Sequence, residues 1–153
     1  MSQPKSIPPP CAFDSEKLAL KIDEVVPSDV EIIAGEVGKI MALIQQTAPS
    51  NDLDGIHLAL QEALANAIIH GNGNGSTKAV RICVAVQEDC ELLMVVKDSG
   101  SGFDPSALPD PIAGQNLFAI RGRGVFLIRQ LMDDVWFEFE NGTAVYMLKR
   151  GSE

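Results

Sequence analysis

Three short stretches of this 153-residue chain combine residue types that could do chemistry. The first is Leu58 to Gly71, LALQEALANAIIHG, which reads as an amphipathic helix. Leu58, Leu64, Ala67 and Ile68 recur near helical period, so one face should be buried. Glu62 and Asn66 are four residues apart, which sets both side chains on one side, a turn from each other. A carboxylate and an amide among Ala, Leu and Ile are costly to bury unless something satisfies them. A metal with its phosphates would do so; an ordinary solvated face is the other reading. The second stretch is Asp98 in DSGSGFDP, directly after the apolar run Leu92 to Val96. Here a strand stops, and Gly100 and Gly102 let a ligand approach the main chain closely. The alternative is a tight surface turn with a solvated Asp. The third is Arg121-Gly122-Arg123-Gly124, just before a predicted helix over Val125 to Met132. Glycines there expose free N–H groups to an anion, and two arginines flank them. A plain loop-to-helix joint with solvated arginines is the competing reading.

The bulk composition narrows what such sites can bind. A formal net charge of −9, from 12 Lys and Arg against 21 Asp and Glu, argues against a nucleic-acid surface. A phosphate ligand must then be held by backbone N–H groups, a metal and a few local arginines. The three cysteines (Cys11, Cys83, Cys90) form no CxxC, which points to a reduced compartment and away from zinc. MSQPKSIPPP lacks a signal-peptide apolar core, and no run reaches transmembrane length, so the expectation is a soluble cytoplasmic protein.

The elements that must position these residues can be read along the chain. Residues 1–14 form a Pro-rich arm, and residues 15–153 a single domain large enough for a proper core. Leu18 to Val26 alternates as a strand near an edge. Ser28 or Asp29 caps a helix over Val30 to Gln46, and Asn51-Asp52 starts the helix carrying Glu62 and Asn66. Gly71 to Gly75, GNGNG, sits at the wrong helix pole for phosphate and reads as a C-cap and turn. Lys78 to Val86 and Glu91 to Lys97 make an antiparallel hairpin, with Cys83 in its core and Cys90 at its turn. Asp104 to Arg121 is a long loop with little periodicity, the size of a functional lid. Asp134 to Glu140 and Thr143 to Lys149 close the chain as a hairpin around Asn141-Gly142. Trp136, Phe137, Phe139 and Tyr146 read as sheet packing. Together these predict an α+β two-layer sandwich: a mixed or antiparallel sheet of about five strands, covered on one face by three helices.

P-loop, Rossmann and protein-kinase fingerprints are absent. Instead, Glu62-x-x-x-Asn66-Ala67 with His70-Gly71 resembles the N box of the GHKL, or Bergerat-fold, ATPases. Asp98-Ser-Gly100-Ser-Gly102-Phe103 resembles their G1 box, and Gly122-Arg-Gly124 their G2 box. The likeness spans roughly residues 15 to 150. The runs NAIIHG, DSGSGFDP, GRGVFLI, LMDDVWFE and GTAV are similar to the anti-sigma-factor serine/threonine kinases in particular.

The resemblance implies ATP and Mg²⁺ as cofactors, with the long loop as ATP lid. Asp98 would accept a hydrogen bond from the adenine amino group, with Thr143 beside it and Gly100 and Gly102 admitting the nucleotide. Asn66 would be the protein's ligand to Mg²⁺. Gly122 and Gly124 would offer N–H groups to the phosphates, and Arg121 or Arg123 would offset charge. Glu62 would be the catalytic base that orients an attacking hydroxyl. His70 reads as a structural helix-end residue. Fewer than thirty residues precede the first predicted helix, so the histidine-phosphorylating arrangement with its helical hairpin is not expected.

The likeness implies two functions. One is a kinase that phosphorylates an anti-sigma-factor antagonist and holds a sigma factor, with homodimerisation implied by resemblance only. The other is an ATP-binding switch module that sequesters a partner without phosphoryl transfer. Neither involves direct contact with nucleic acid or a membrane.

Overall fold

A computed structural model describes residues 18–49, 51–71, 78–99, 124–139 and 142–151. Five strands form one sheet: β1 (Leu18–Pro27), β2 (Ala79–Gln87), β3 (Leu92–Asp98), β4 (Asp134–Glu138) and β5 (Ala144–Lys149). Their order is β1-β2-β3-β5-β4, and every adjacent pair is antiparallel. The expectation of a mixed or antiparallel sheet therefore resolves to antiparallel. The last strand pairs with β3, which leaves β4 at the edge opposite β1. The expected boundary between an arm and a domain at residue 14 lies outside the described residues.

Helices α1 (Ile33–Thr47) and α2 (Leu53–Ala65) precede β2, and a third helix, α3 (residues 124–131), leads into β4. The starts of the first two are set by short acidic side chains accepting from free N–H groups. Asp29 Oδ1 accepts from Glu31 N at 3.0 Å, opening a 3₁₀ turn (Val30–Ile32) that runs into α1. Asp52 Oδ1 accepts from Gly55 N at 3.2 Å and caps α2. The neighbouring Asn51 is buried and donates from Nδ2 to Cys90 O at 2.9 Å, tying the start of α2 to the β2–β3 turn. Cys90 takes φ +72° in that turn.

The helices cover one sheet face. Val37, Ile40 and Ile44 of α1, Ile56, Leu60 and Leu64 of α2, and Ile128 of α3 pack on Ile82, Val84, Met94 and Met147. Each fully buried Ile or Leu contributes about 2 kcal/mol in transfer terms. The opposite face carries a second apolar cluster of Cys83, Leu93, Val95, Ala144 and Tyr146, with Trp136 and Leu148 packed against it. Trp136 stacks on Tyr146 with centroids 5.3 Å apart. The middle strands are thus apolar on both faces, which is why LLMVV in β3 is continuous rather than alternating.

Two local expectations are corrected. Leu58 belongs not to the buried face of α2 but to its outer side, 37% exposed, because Ile56, Ala59 and Leu60 turn the helix inward. Nor does α2 run as a regular α-helix to Gly71. It passes at Asn66 into a π-helical turn (Asn66–Gly71), with the Asn66 N–H shared between the Glu62 and Ala63 carbonyls. Such turns widen the helix and shift the phase of its later residues. Phe139, expected in the sheet packing, stacks on Phe137 with centroids 6.1 Å apart, at the margin of that packing.

At the β1 edge, Arg81 Nη2 donates to Asp23 Oδ2 at 2.7 Å and its Nε to Oδ1 at 3.0 Å, while Cys83 Sγ donates to the same Oδ1 at 3.4 Å. The Arg81 hydrogen bonds hold the Asp23 carboxyl below its ordinary value of 3.8, against a smaller desolvation effect. A carboxyl depressed by folding adds stability that is present above its unfolded pKa and is lost as pH falls through the folded one. In urea titrations, Arg81→Gln should therefore differ from wild type at pH 6, and the difference should shrink below about pH 3.8. A difference independent of pH would refute the ion-pair account.

Gly35 and Gly38 lie within α1, and a Cβ at either would meet nothing within 4 Å. Gly38→Ala should raise stability by up to about 1 kcal/mol, seen as a higher thermal midpoint, because Ala loses less backbone entropy in a helix. A lower midpoint would show that this face is occupied.

Candidate functional site

Asp98 is the last residue of β3 and is 3% exposed. The β3–β5 register, Lys97 opposite Ala144, sets it beside Thr143. Thr143 N donates to Asp98 Oδ1 at 3.1 Å, and Asp98 N donates to Thr143 O at 3.0 Å. The carboxylate is therefore held in orientation at the end of a central strand. Gly142 makes this possible. Its φ is +117°, and a Cβ there would run into the Asp98 carbonyl oxygen. Only glycine lets the β4–β5 connection cross so close. Asn141-Gly142 had the sequence signature of a turn; the steric demand from Asp98 is long-range and left no local mark.

The second half of the site sits where α2 gives way to the π-helical turn. Glu62 and Asn66, both half-buried, face Gly124 of α3. A Cβ at Gly124 would lie 2.8 Å from Asn66 Nδ2 and 3.0 Å from Glu62 Oε1. Two polar side chains predicted to share a helix face thus do share it, and α3 meets them with a bare backbone. The π-helical turn that begins at Asn66 packs against β3, which links this half to the strand that ends in Asp98. Gly100, Gly102, Arg121, Gly122 and Arg123, and the expected lid over 104–121, lie outside the described residues.

The donor set fits a particular kind of metal. Among the described residues no group of three or more His, Cys, Asp or Glu side chains could cage an ion. Asn66 contributes one amide oxygen beside Gly124. That suits Mg²⁺, which keeps waters and phosphate oxygens and takes few protein ligands. The two close glycine approaches, over Asp98 and against Glu62 and Asn66, leave backbone rather than side chain facing each functional group.

Residues 22–149 match the family described as histidine kinase-like ATPase domain. This chain belongs to that family. It is 35% identical over 120 residues to an anti-sigma F factor of Geobacillus stearothermophilus, covering 72% of this chain and 78% of the relative. It is 29% identical over 109 residues to the serine-protein kinase RsbW of Staphylococcus epidermidis, covering 67% and 68%. Among solved structures, a histidine kinase domain from Erythrobacter litoralis aligns with TM-score 0.49 and 17% identity, over 77% of this chain and 60% of that one. As an ATPase-family domain the chain is built around a nucleotide site. No helix among the described residues is long and apolar enough to cross a membrane.

Gly124→Ala isolates the helical half of that site. The added methyl displaces only the ends of Glu62 and Asn66, so the thermal midpoint should change little. If Glu62 and Asn66 face the nucleotide, its affinity in the presence of Mg²⁺ should fall about tenfold or more, read by calorimetry. Unchanged affinity would mean that Glu62 and Asn66 do not face the ligand.

Proposed function

We propose that this protein is an ATP- and Mg²⁺-dependent serine/threonine protein kinase that acts on an antagonist protein and holds a sigma factor. The observation that carries the reading is the meeting of Glu62 and Asn66 with the bare backbone of Gly124, together with a buried, oriented Asp98. The relatives, an anti-sigma F factor and a serine-protein kinase, support it.

ATP bound with Mg²⁺ supplies a transferable phosphoryl group. Asp98 selects the base by accepting from an exocyclic amino group, and the Thr143 N–H keeps its carboxylate turned for that purpose. Thr143 adds a hydroxyl at the same place, and Gly100 and Gly102 admit the ring. Asn66 holds the metal through its amide oxygen. Gly122 and Gly124 would present backbone to the phosphates, and Arg121 or Arg123 would offset their charge. Glu62 accepts the proton of the partner's Ser or Thr hydroxyl as its oxygen bonds to the γ-phosphorus and the bond to ADP breaks. A carboxylate one helical turn from the metal-binding Asn can do this; an amide cannot. The protein works in the cytoplasm as a homodimer, exchanging the sigma factor for the unphosphorylated antagonist.

The test separates binding from transfer. Asp98→Asn keeps an acceptor for the Thr143 N–H but loses the charge, and should weaken ATP binding by about 10- to 100-fold. Glu62→Ala should bind ATP as wild type does. Its labelling of the antagonist from [γ-³²P]ATP should fall by about 10²- to 10⁴-fold. Transfer that survives Glu62→Ala removes Glu62 as the base. Tight ATP binding without transfer by the wild type favours the switch module instead.

A further inference from the structure

The functional groups lie at one end of the sheet, yet α2 and α3 are joined again at the other end by a single side chain. Lys149 is the last residue of β5, about 20 Å along that strand from Thr143. Its side chain shares the helix-covered face with Val145 and Met147 and is only 18% exposed. Nζ donates to Leu131 O at 2.8 Å. Leu131 ends α3, so the ammonium meets a carbonyl at the negative end of that helix. The same Nζ lies 3.6 Å from Asp52 Oδ2, whose other oxygen caps the start of α2.

Two further bonds hold the C-terminal end of α3 to β5: Asp133 N to Leu148 O at 2.8 Å, and Arg150 N to Asp133 Oδ2 at 2.6 Å. Neither reaches α2. We propose that Lys149 is a positioning residue: it straps the far ends of α2 and α3 together and thereby fixes how Gly124 sits against Glu62 and Asn66. This rests on the nucleotide-site reading above.

The geometry explains why one remote ammonium matters. Leu131 lies about 10 Å along α3 from Gly124, and Asp52 about 15 Å along α2 from Glu62. The helices are therefore two rigid arms, in contact at Gly124 and bridged again by Lys149. Between them α3 is seated by Ile128 in the core and by Arg129 over the Phe137 ring at 5.8 Å. The Asp133–Leu148 backbone bond anchors the end of α3 on β5, and Leu131 packs on the core beside Ile128. What these contacts leave unset is the position of α3 relative to α2, which Lys149 bridges through Leu131 O and Asp52. A displacement of about 1 Å at Gly124 would be enough to spoil the alignment of Glu62 and Asn66 with a bound phosphate.

The experiment is calorimetric titration of the full chain with ATP in Mg²⁺ and in EDTA, well below the unfolding midpoint of every variant. Lys149→Met keeps length and apolar packing but leaves Leu131 O without its donor; affinity for ATP with Mg²⁺ should fall about tenfold. Lys149→Arg should restore it to within about twofold of wild type, since the charge and donor return. Asp52→Asn retains the cap and loses only the charge partner, and should weaken affinity by about threefold. Ile40→Val, which trims the core under the middle of α1, should lower the midpoint and leave affinity unchanged.

Wild-type affinity in both Lys149→Met and Asp52→Asn overturns the proposal. So does a loss that tracks the midpoint equally in Lys149→Met and Ile40→Val, which would make the strap a contributor to stability alone. A wild type that binds ATP in neither buffer instead overturns the nucleotide reading, and the strap's functional role with it.

Discussion

The pairing of the last strand with the third is the constraint on which the rest of the structure depends. Because β5 inserts beside β3 rather than beside its sequence neighbour alone, Thr143 meets Asp98 and β4 is pushed to the edge. The helix that precedes β4, α3, lies on the helix-covered face with Gly124 against Glu62 and Asn66 of α2. The β3–β5 pairing supplies a backbone donor to a carboxylate that is 3% exposed. One register therefore fixes both the oriented acid and the place where a third helix can land.

Both halves of the site rely on the absence of a side chain. Gly142 passes over Asp98, and Gly124 stands against Glu62 and Asn66. The physical reasons differ. At Gly142 the backbone conformation itself excludes other residues, since φ is +117° and the obstruction is main chain. At Gly124 the obstruction is two polar side-chain ends, so the cost of a larger residue falls on function before it falls on stability. Were the surface at Gly124 to take phosphate, main-chain N–H groups would suit a chain of net charge −9, which has few cations to place against anions.

Most of the fold was legible because its signals are local. Alternation marked β1, the Asp29 and Asp52 caps marked the starts of the first helical segments, and Asn141-Gly142 marked the closing hairpin. The placement of the candidate residues was legible too: four-residue spacing set Glu62 and Asn66 on one face, and an abrupt strand end singled out Asp98. The features that escaped are set by tertiary packing. Leu58 looks like a core residue in its window, yet the strip around Leu60 that faces the sheet is what decides its exposure. The π-helical turn at Asn66 carries no glycine or proline at its start to announce it, and it packs on β3, a contact remote in sequence. The bonds of Lys149 to Leu131 and Asp52 span separations that no periodicity reports.

The two halves of the site also differ in how firmly they are held. Asp98 ends a strand flanked by partners on both sides and apolar on both faces, so its displacement requires opening the sheet itself. Gly124 belongs to a short helix seated by one fully buried side chain, Ile128, a cation over a ring, and bonds clustered at its far end. Local opening free energy tracks such differences in buried contact. A base-recognising half that stays fixed and a phosphate-facing half that shifts more easily would let the state of the phosphates change the position of α3 while the base end remains seated. The outer face of α3, where Phe126 is 63% exposed, would carry that change to the surface. In an ATPase-family domain such uneven stability would let one end of the site stay fixed while the other adjusts, within the limit that the Lys149 contacts to Leu131 and Asp52 set.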